Sequence, residues 1–254
     1  MSDNTTLFFG NFNLAATDSD SSEYRHTFGG EHDRRGASRE DCNGILIHLL
    51  HRINLRDPCV PIQIPGLDRL PLYYVFDFRA NDLGYRLTSE DSMDTFFPLD
   101  DKNVTSKEEW PGKNYPTAFP RSDFSVFQCN YDPTDPEDAY MWAGVFGIPK
   151  LSAAGRESVK RRVERDCEFA YDFTDATEEE YEDAMCFPFM QGKPNNTCLN
   201  PGCENHSRHG QLNVIALLPP EPVSGVQLWD GAGVQLIFQM CPLCYTIRSS
   251  NQCT

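Results

Sequence analysis

Short runs of apolar residues, bounded by polar, glycine and proline positions, predict a chain rich in strands. The run at 71–78 is dense in aromatic and β-branched side chains, which favours a largely buried strand. In 234–240 the apolar residues occupy alternate positions, so one face of that strand is expected to contact the core. Further strands are predicted at 7–14, 124–129, 141–148, 212–218 and 226–229.

Helical patterns occur in three places. Ser38 begins a capping-box pattern, and apolar residues then recur at helical spacing from Leu46 to Ile53, which predicts a helix. Ser152 can cap a second helix, whose apolar stripe from Val159 to Tyr171 would cover the sheet. The eight acidic residues between 167 and 185 are typical of a solvated surface helix.

These elements predict an α+β fold with a mixed or mainly antiparallel sheet and a few covering helices. The final segment is expected to resemble a zinc knuckle or zinc ribbon. No repeat, low-complexity block or clear linker divides the chain. Residues 1–254 are therefore expected to form a single α+β domain, in which 195–254 is a zinc-stabilised C-terminal subregion.

Charge and composition restrict the possible partners. At 254 residues and 39% hydrophobic content, the chain can bury a sizeable core without help from a metal. The net charge of −16 repels phosphate backbones and anionic lipid surfaces. The basic run at 160–162 lies among glutamates, which predicts an ion-paired helix face. We therefore expect neither nucleic-acid nor membrane binding.

The cellular compartment decides whether clustered cysteines are interpreted as disulfides or as metal ligands. The first 30 residues lack a secretory-signal pattern, and no apolar run is long enough to span a membrane, so a soluble, cytoplasmic protein is expected. In a reducing compartment, clustered cysteines more often bind a metal than form disulfides.

Two cysteine pairs stand out among the ten cysteines. Cys198 and Cys203 are separated by four residues, Cys241 and Cys244 by two, and a proline lies within each pair. Two such turns can direct four sulfur atoms at one point, and tetrahedral thiolate coordination is typical of zinc. The spacing predicts a structural zinc site, because four thiolates leave no position open for chemistry.

Other interpretations of these cysteines remain open. His206 or Cys253 could replace one of the four ligands, since each lies within ten residues of a proposed ligand. Cys241 and Cys244 could instead form a redox pair, although such a motif normally opens a helix and the following residues look extended. The cysteines could also bind no metal.

Outside the cysteine pairs, the sequence evidence for catalytic or ligand-binding residues is weaker. His48 and His51 fit partial burial better than metal binding. The loop Gly29–Gly36 concentrates His32, carboxylates and arginines between glycines, a composition found in functional loops as well as in exposed turns. The aromatic residues of 71–78 could line a pocket or belong to a sheet core. Nucleotide-binding and hydrolase motifs are absent from the sequence.

Residues 212–239 combine an apolar strand, a proline-bearing loop and the sequence LWDGAGVQLIF. This order resembles the closing segment of the uncharacterised bacterial YwqG-like family, with a weaker similarity at Leu70–Phe78. The resemblance implies a single α+β domain of unknown activity and carries over no catalytic residue. The chain departs from the family pattern where Cys241 and Cys244 follow the last strand.

The preferred hypothesis is a zinc-stabilised intracellular protein that acts by binding another molecule, a protein above all, through its sheet face or acidic surface. The first alternative is an enzyme whose pocket lies between the aromatic strands and the Gly29–Gly36 loop, with His32 as acid or base. The second is a thiol redox protein that uses Cys241 and Cys244. The sequence indicates no oligomeric state.

Overall fold

The structure is a computed structural model. It describes residues 6–9, 12–17, 23–30, 47–60, 62–76, 82–89, 92–96, 115–129, 135–167, 172–185, 194–209, 211–218, 220–223, 225–229 and 233–253.

Antiparallel pairing organises the strands of the described ranges. They are β1 (Thr6–Phe9), β2 (Phe12–Thr17), β3 (His26–Phe28), β4 (Ile47–Asn54), β5 (Arg69–Val75), β6 (Asp82–Ser89), β7 (Ser92–Phe96), β8 (Ser122–Cys129), β9 (Asn213–Leu218), β10 (Val234–Met240) and β11 (Ile247–Cys253). Strand β8 pairs with β3 on one side and β2 on the other, which joins two antiparallel sheets. The continuous order is β5-β4-β3-β8-β2-β1-β9-β10-β11-β6-β7. The predicted α+β class with an antiparallel sheet is confirmed.

The joined sheets curl around one hydrophobic core. Strand β5 lies at one end of the order, yet the Tyr85 hydroxyl of β6 donates to the Pro71 carbonyl of β5 at 2.8 Å. Asn251 of β11 also donates to the Tyr74 hydroxyl of β5. The core between them is aromatic, with the rings of Phe76 and Trp229 centred 5.1 Å apart. Because these rings are buried, they fill the interior.

Residues Ile47–Asn54 form strand β4, so the helix predicted at 46–53 is wrong. Residues 47–51 of this inner strand are all buried, and the pairing of the strand with β5 shifts register between Leu49 and His51. A short apolar run buried on both faces does not reveal its period, so helix and strand give the same sequence signal. Ser38 and the proposed capping box lie outside the described residues.

A helix also replaces the strand predicted at 141–148. Helix α1 spans Pro136–Phe146, and the Asp135 carboxylate caps it by accepting hydrogen bonds from the Glu137 and Asp138 amides at 2.9 and 3.2 Å. An aspartate before a proline at the first helical position is a helix start signal, which the strand prediction overlooked.

The predicted strand at 226–229 is also wrong, since only an isolated bridge joins Val223 to Val226.

The three helices of the described chain pack against one another. Helix α2 (Ala153–Asp166) is capped by Ser152 as predicted, and α3 (Glu178–Ala184) carries the acidic run. Val159 and Val163 of α2 are buried with α1 and α3 residues in a cluster that contains no strand residue. Within the described residues, the α2 stripe therefore packs against the other helices, whereas the sequence predicted that it covers the sheet. The basic face of α2 forms ion pairs, as expected. Lys160, for example, contacts Glu178 at 3.6 Å.

A buried histidine contacts the loop that follows β4. His26 of β3 is fully buried, and its Nε2 lies 2.9 Å from the Asp57 carboxylate. Its Nδ1 accepts a hydrogen bond from the Asn54 amide at 3.1 Å, so Nε2 carries the proton in the neutral ring. Burial lowers the pKa of His26, although Asp57 acts in the opposite direction.

This pKa shift predicts a loss of stability in acid. Below about pH 6.5 the unfolded chain protonates His26 while the folded chain does not, so the free energy of unfolding decreases as pH falls. We expect wild-type protein to lose more stability between about pH 7 and about pH 5 than His26→Gln does, as measured by urea unfolding. His209→Gln, at an exposed position, is the control and should behave like wild type. Equal acid sensitivity in wild type and His26→Gln would contradict the assignment.

Candidate metal centre

The four predicted cysteines lie on two turns that the strands bring together. Cys241 follows the last residue of β10, and Cys244 lies three residues later in the turn that leads to β11. The Cys241 amide donates to the Thr246 carbonyl at 2.9 Å, and the Tyr245 amide donates to the Cys241 carbonyl at the same distance. The Tyr245 backbone has φ of 57°, which a tight turn requires. These contacts close the turn that carries Cys241 and Cys244.

The other pair lies in the segment before β9. The Cys203 amide donates to the Asn200 carbonyl at 3.0 Å, and the Asn200 side chain accepts from the Gly202 amide at 2.9 Å. Asparagine, proline and glycine favour this local turn because the asparagine side chain bonds to the backbone two residues later. The Cys198 amide donates to the Asn205 carbonyl at 3.2 Å, which closes the segment upon itself.

The four sulfur atoms have the spacing of a tetrahedral thiolate site. All of them lie within 4.8 Å of one another. The Sγ atoms of Cys198 and Cys244 are 3.6 Å apart, and those of Cys203 and Cys241 are 3.7 Å apart. A disulfide would place them about 2.05 Å apart. A tetrahedron with a metal–sulfur distance of about 2.3 Å has edges of about 3.8 Å. The cluster is therefore consistent with a metal ion such as zinc.

Burial is unequal among the four thiols. Cys198 and Cys241 are buried, whereas Cys203 and Cys244 are half-buried. Burial raises the pKa of Cys198 and of Cys203. Burial also acts to raise the pKa of Cys244, but hydrogen bonds to Thr246 and to the neighbouring thiols outweigh it and lower this pKa to about 7. A cation among the sulfurs would favour the thiolate form of all four, because opposite charge stabilises the ionised thiol.

Polar neighbours orient the sulfur atoms. The Asn205 side-chain amide donates to Cys241 Sγ at 3.5 Å, and Thr246 Oγ1 lies 3.1 Å from Cys244 Sγ. Such contacts fix metal ligands in position and adjust their basicity. Neither Asn205 nor Thr246 belongs to the cysteine motif. The folded turns bring both side chains to the sulfur atoms, so the spacing of the cysteines did not predict them.

The proposed substitute ligands lie elsewhere. His206 Nδ1 is 2.9 Å from the Cys198 carbonyl oxygen, so the ring supports the turn. Cys253 pairs with Val234 at the far end of β11 from the cysteine turn. Among the described residues, the group that could hold a metal contains only the four predicted cysteines.

The cysteine segment docks on β6 through a close contact. A Cβ atom at Gly84 would lie 2.7 Å from Leu199 Cβ and 3.0 Å from its Cδ1. Glycine at this position therefore lets the residue after Cys198 lie against the strand. The sequence did not indicate this requirement, because Gly84 lies more than a hundred residues before the turn.

Gly84→Ala is expected to lower the free energy of unfolding by about 1–3 kcal/mol, because overpacking forces Leu199 and its turn away from β6. The measurement is chemical denaturation of Gly84→Ala, Leu199→Gly and the double variant. Leu199→Gly removes both Leu199 atoms nearest to the added Cβ, so the double variant should lose less than the sum of the single losses. Strictly additive losses would contradict this contact.

The other candidate residues are mainly in the core. His48 and His51 lie on β4 and are buried, with aromatic rings around both, instead of being partly buried on a helix. Tyr73, Tyr74 and Phe76 are also buried, as the sheet-core interpretation of the aromatic run expects. Of the Gly29–Gly36 loop only Gly29 and Gly30 are described, so His32 lies outside the described residues.

The comparisons with known proteins identify no relative of this chain. No family model, no curated protein and no solved structure matches the chain. The resemblance of 212–239 to the YwqG-like family and the single-domain boundary at 1–254 stay predictions. None of the helices in the described ranges is long and apolar enough to cross a membrane.

Proposed function

We propose that Cys198, Cys203, Cys241 and Cys244 bind one structural zinc ion, and that the protein acts by binding another molecule. The observation that carries the proposal is the convergence of four sulfur atoms within 4.8 Å. With four protein ligands the metal has no open position for substrate or water. The zinc therefore stabilises the fold, and function is assigned to the protein surface.

Burial favours the metal over the redox hypothesis. Cys241 is wholly buried, and the turn Cys241–Cys244 leads into β11 and not into a helix. Catalytic redox cysteines are partly exposed and commonly sit at a helix N-terminus. In addition, sulfur contacts of 3.6 and 3.7 Å join Cys198 to Cys244 and Cys203 to Cys241, across the two turns. This cross-pairing suits one shared ion better than a disulfide within a turn.

The zinc proposal is tested by metal analysis combined with thiol alkylation of the purified native protein, resolved by residue with mass spectrometry. We expect one zinc per chain and four cysteines that react only after a chelator is added. Cys59 and Cys253 are exposed and serve as internal controls that react in both states. Absence of metal, together with equal reactivity of all these cysteines, would contradict the proposal. A reversible Cys241–Cys244 disulfide in the native protein would favour the redox alternative.

We assign the binding role to a protein partner with a basic surface. The net charge of −16 attracts such a partner and repels acidic ones. Association driven by this surface is expected to weaken as salt rises, because screening shortens the range of exposed charges. Binding of a basic model protein, measured at low and high ionic strength, checks this expectation. Salt-independent association would contradict a contribution of the acidic surface.

A further inference from the structure

Four strands place a set of arginines on one face of the sheet. Thr27 of β3 is paired with Arg52 of β4, and Asn54 of β4 is paired with Arg69 of β5. Directly paired residues share a face, as do residues two apart on one strand. Arg25 precedes β3, two residues before Thr27, and therefore lies on the same side. The opposite face carries core residues.

The next strand adds one arginine and one carboxylate to this face. Asp123 of β8 is paired with Thr27, and Arg121 lies two residues before it. Asp123 contacts Arg25 at 3.6 Å and Arg121 at 3.2 Å. One carboxylate thus lies between two guanidinium groups at the edge of the face.

These residues surround a cavity of about 330 Å³, which we call the arginine cavity. It is lined by Glu23, Arg25, Thr27, Arg52, Asn54, Arg69 and Arg121. The described lining thus brings together four arginines and one carboxylate, that of Glu23, with Asp123 beside Arg25 and Arg121. Such a cluster of arginines is notable in a chain whose net charge is −16. The volume is at the lower end of the range for small-molecule sites, about 300–1,000 Å³.

Gly30 brings two of the arginines close to each other. A Cβ atom at Gly30 would lie 3.5 Å from Arg52 Nη1 and 3.7 Å from Arg121 Cβ. The Gly30 amide donates to the Phe119 carbonyl at 2.9 Å, which fixes the end of β3 against the segment before β8. The guanidinium of Arg52 and the side chain of Arg121 therefore both lie beside Gly30.

A buried hydroxyl of the cavity lacks a partner. Thr27 is 8% exposed, and its Oγ1 has no hydrogen-bond partner among the described residues. Burying a hydroxyl without a hydrogen bond is unfavourable, so such a group indicates a missing partner. Because Thr27 lines the cavity, a ligand oxygen there would supply this partner.

We propose that the arginine cavity binds a phosphate group carried by a small molecule. Arginine presents a planar fork of N–H donors that matches phosphate oxygens in bidentate geometry. A phosphate monoester carries a charge of about −1.5 to −2 near neutral pH and three acceptor oxygens, so it can accept hydrogen bonds from more than one guanidinium, whereas a single carboxylate offers two oxygens and one charge. The Thr27 hydroxyl and the Asn54 side chain add neutral hydrogen bonds. The site extends the binding role proposed above and does not depend on the zinc.

The test is calorimetric titration of the full chain with inorganic phosphate, pyrophosphate and, as a carboxylate probe, acetate, at constant ionic strength. We expect saturable binding of phosphate and pyrophosphate, with acetate much weaker. The double variant Arg52→Gln/Arg69→Gln should weaken phosphate binding by at least about tenfold, because each lost charge-assisted hydrogen bond is worth roughly that factor. The matched control Arg86→Gln/Arg161→Gln changes the net charge equally on β6 and α2, outside the cavity, and should bind like wild type.

A second variant separates ligand contact from folding. Thr27→Val keeps the shape of the side chain and removes the unpartnered hydroxyl. It should retain or raise the melting temperature while it weakens phosphate binding several-fold. Absence of saturable phosphate binding would overturn the proposal. Equal weakening in the control pair would also do so, since it would show attraction by overall charge alone. Acetate binding as tight as that of phosphate would overturn the assignment to a phosphate group.

Discussion

Cys203→Ser or Cys244→Ser is expected to lower the free energy of unfolding by several kcal/mol and to abolish tight zinc binding. Structural zinc contributes about 10–16 kcal/mol of apparent binding free energy near neutral pH, so the loss of one ligand removes a large part of it. Both residues are half-buried, and serine is close to cysteine in size. Loss of core packing therefore accounts for little of the expected change.

For each variant, stability is measured by thermal and chemical unfolding, and the zinc content is measured on the same sample. Chelated wild-type protein should approach the stability of the variants, because both then lack the complete site. Cys59→Ser, at an exposed position outside the cluster, is the matched control and should retain full stability and one zinc. Unchanged melting temperatures in both ligand variants would rule out a structural role for the metal.

Asp82→Ala is expected to cost about 3–5 kcal/mol, because it leaves the buried guanidinium of Arg248 without its counter-charge. Arg248 lies on β11, is 4% exposed, and forms an ion pair with Asp82 at the start of β6. The same guanidinium donates to the carbonyl and the hydroxyl of Thr197, each at 3.1 Å. Since Thr197 precedes Cys198, this ion pair also anchors the first cysteine turn to the sheet.

The distinguishing result comes from a double-mutant cycle. Arg248→Met replaces the charge with an apolar side chain of similar length, so Asp82→Ala/Arg248→Met should be more stable than Asp82→Ala alone. Asp94→Ala, which breaks an exposed pair between β7 and Arg86 of β6, is the control and should cost less than about 1 kcal/mol. If the double variant were less stable than Asp82→Ala, the buried charge would not be the cause of the loss.

The cysteine quartet could be predicted from sequence because its information is local. Each pair lies in a short turn marked by proline, and β10 leads directly into Cys241. Strand β5 was predicted equally well, because aromatic and β-branched residues are concentrated there. By contrast, the zinc identity, the partner and the cytoplasmic location stay predictions, since neither the fold nor the comparisons test them.

The errors have two physical causes. Residues 47–51 of β4 are buried on both faces, so their pattern has no period. In α1 the capped start carried more information than the apolar residues that follow. The arginine cavity was missed for another reason. Its residues are spread from 23 to 121 and meet only through strand register, so no window of sequence contains the charge cluster. The only basic run visible in the sequence, at 160–162, is ion-paired on α2.

X-ray absorption at the zinc edge of the purified native protein tests the central claim most directly. The account predicts four sulfur neighbours at about 2.3 Å and no nitrogen or oxygen ligand. Replacement of any one of the four cysteines should alter this shell, whereas Cys59→Ser should leave it unchanged. A spectrum with histidine or water ligands, or a protein that retains no zinc, would contradict it.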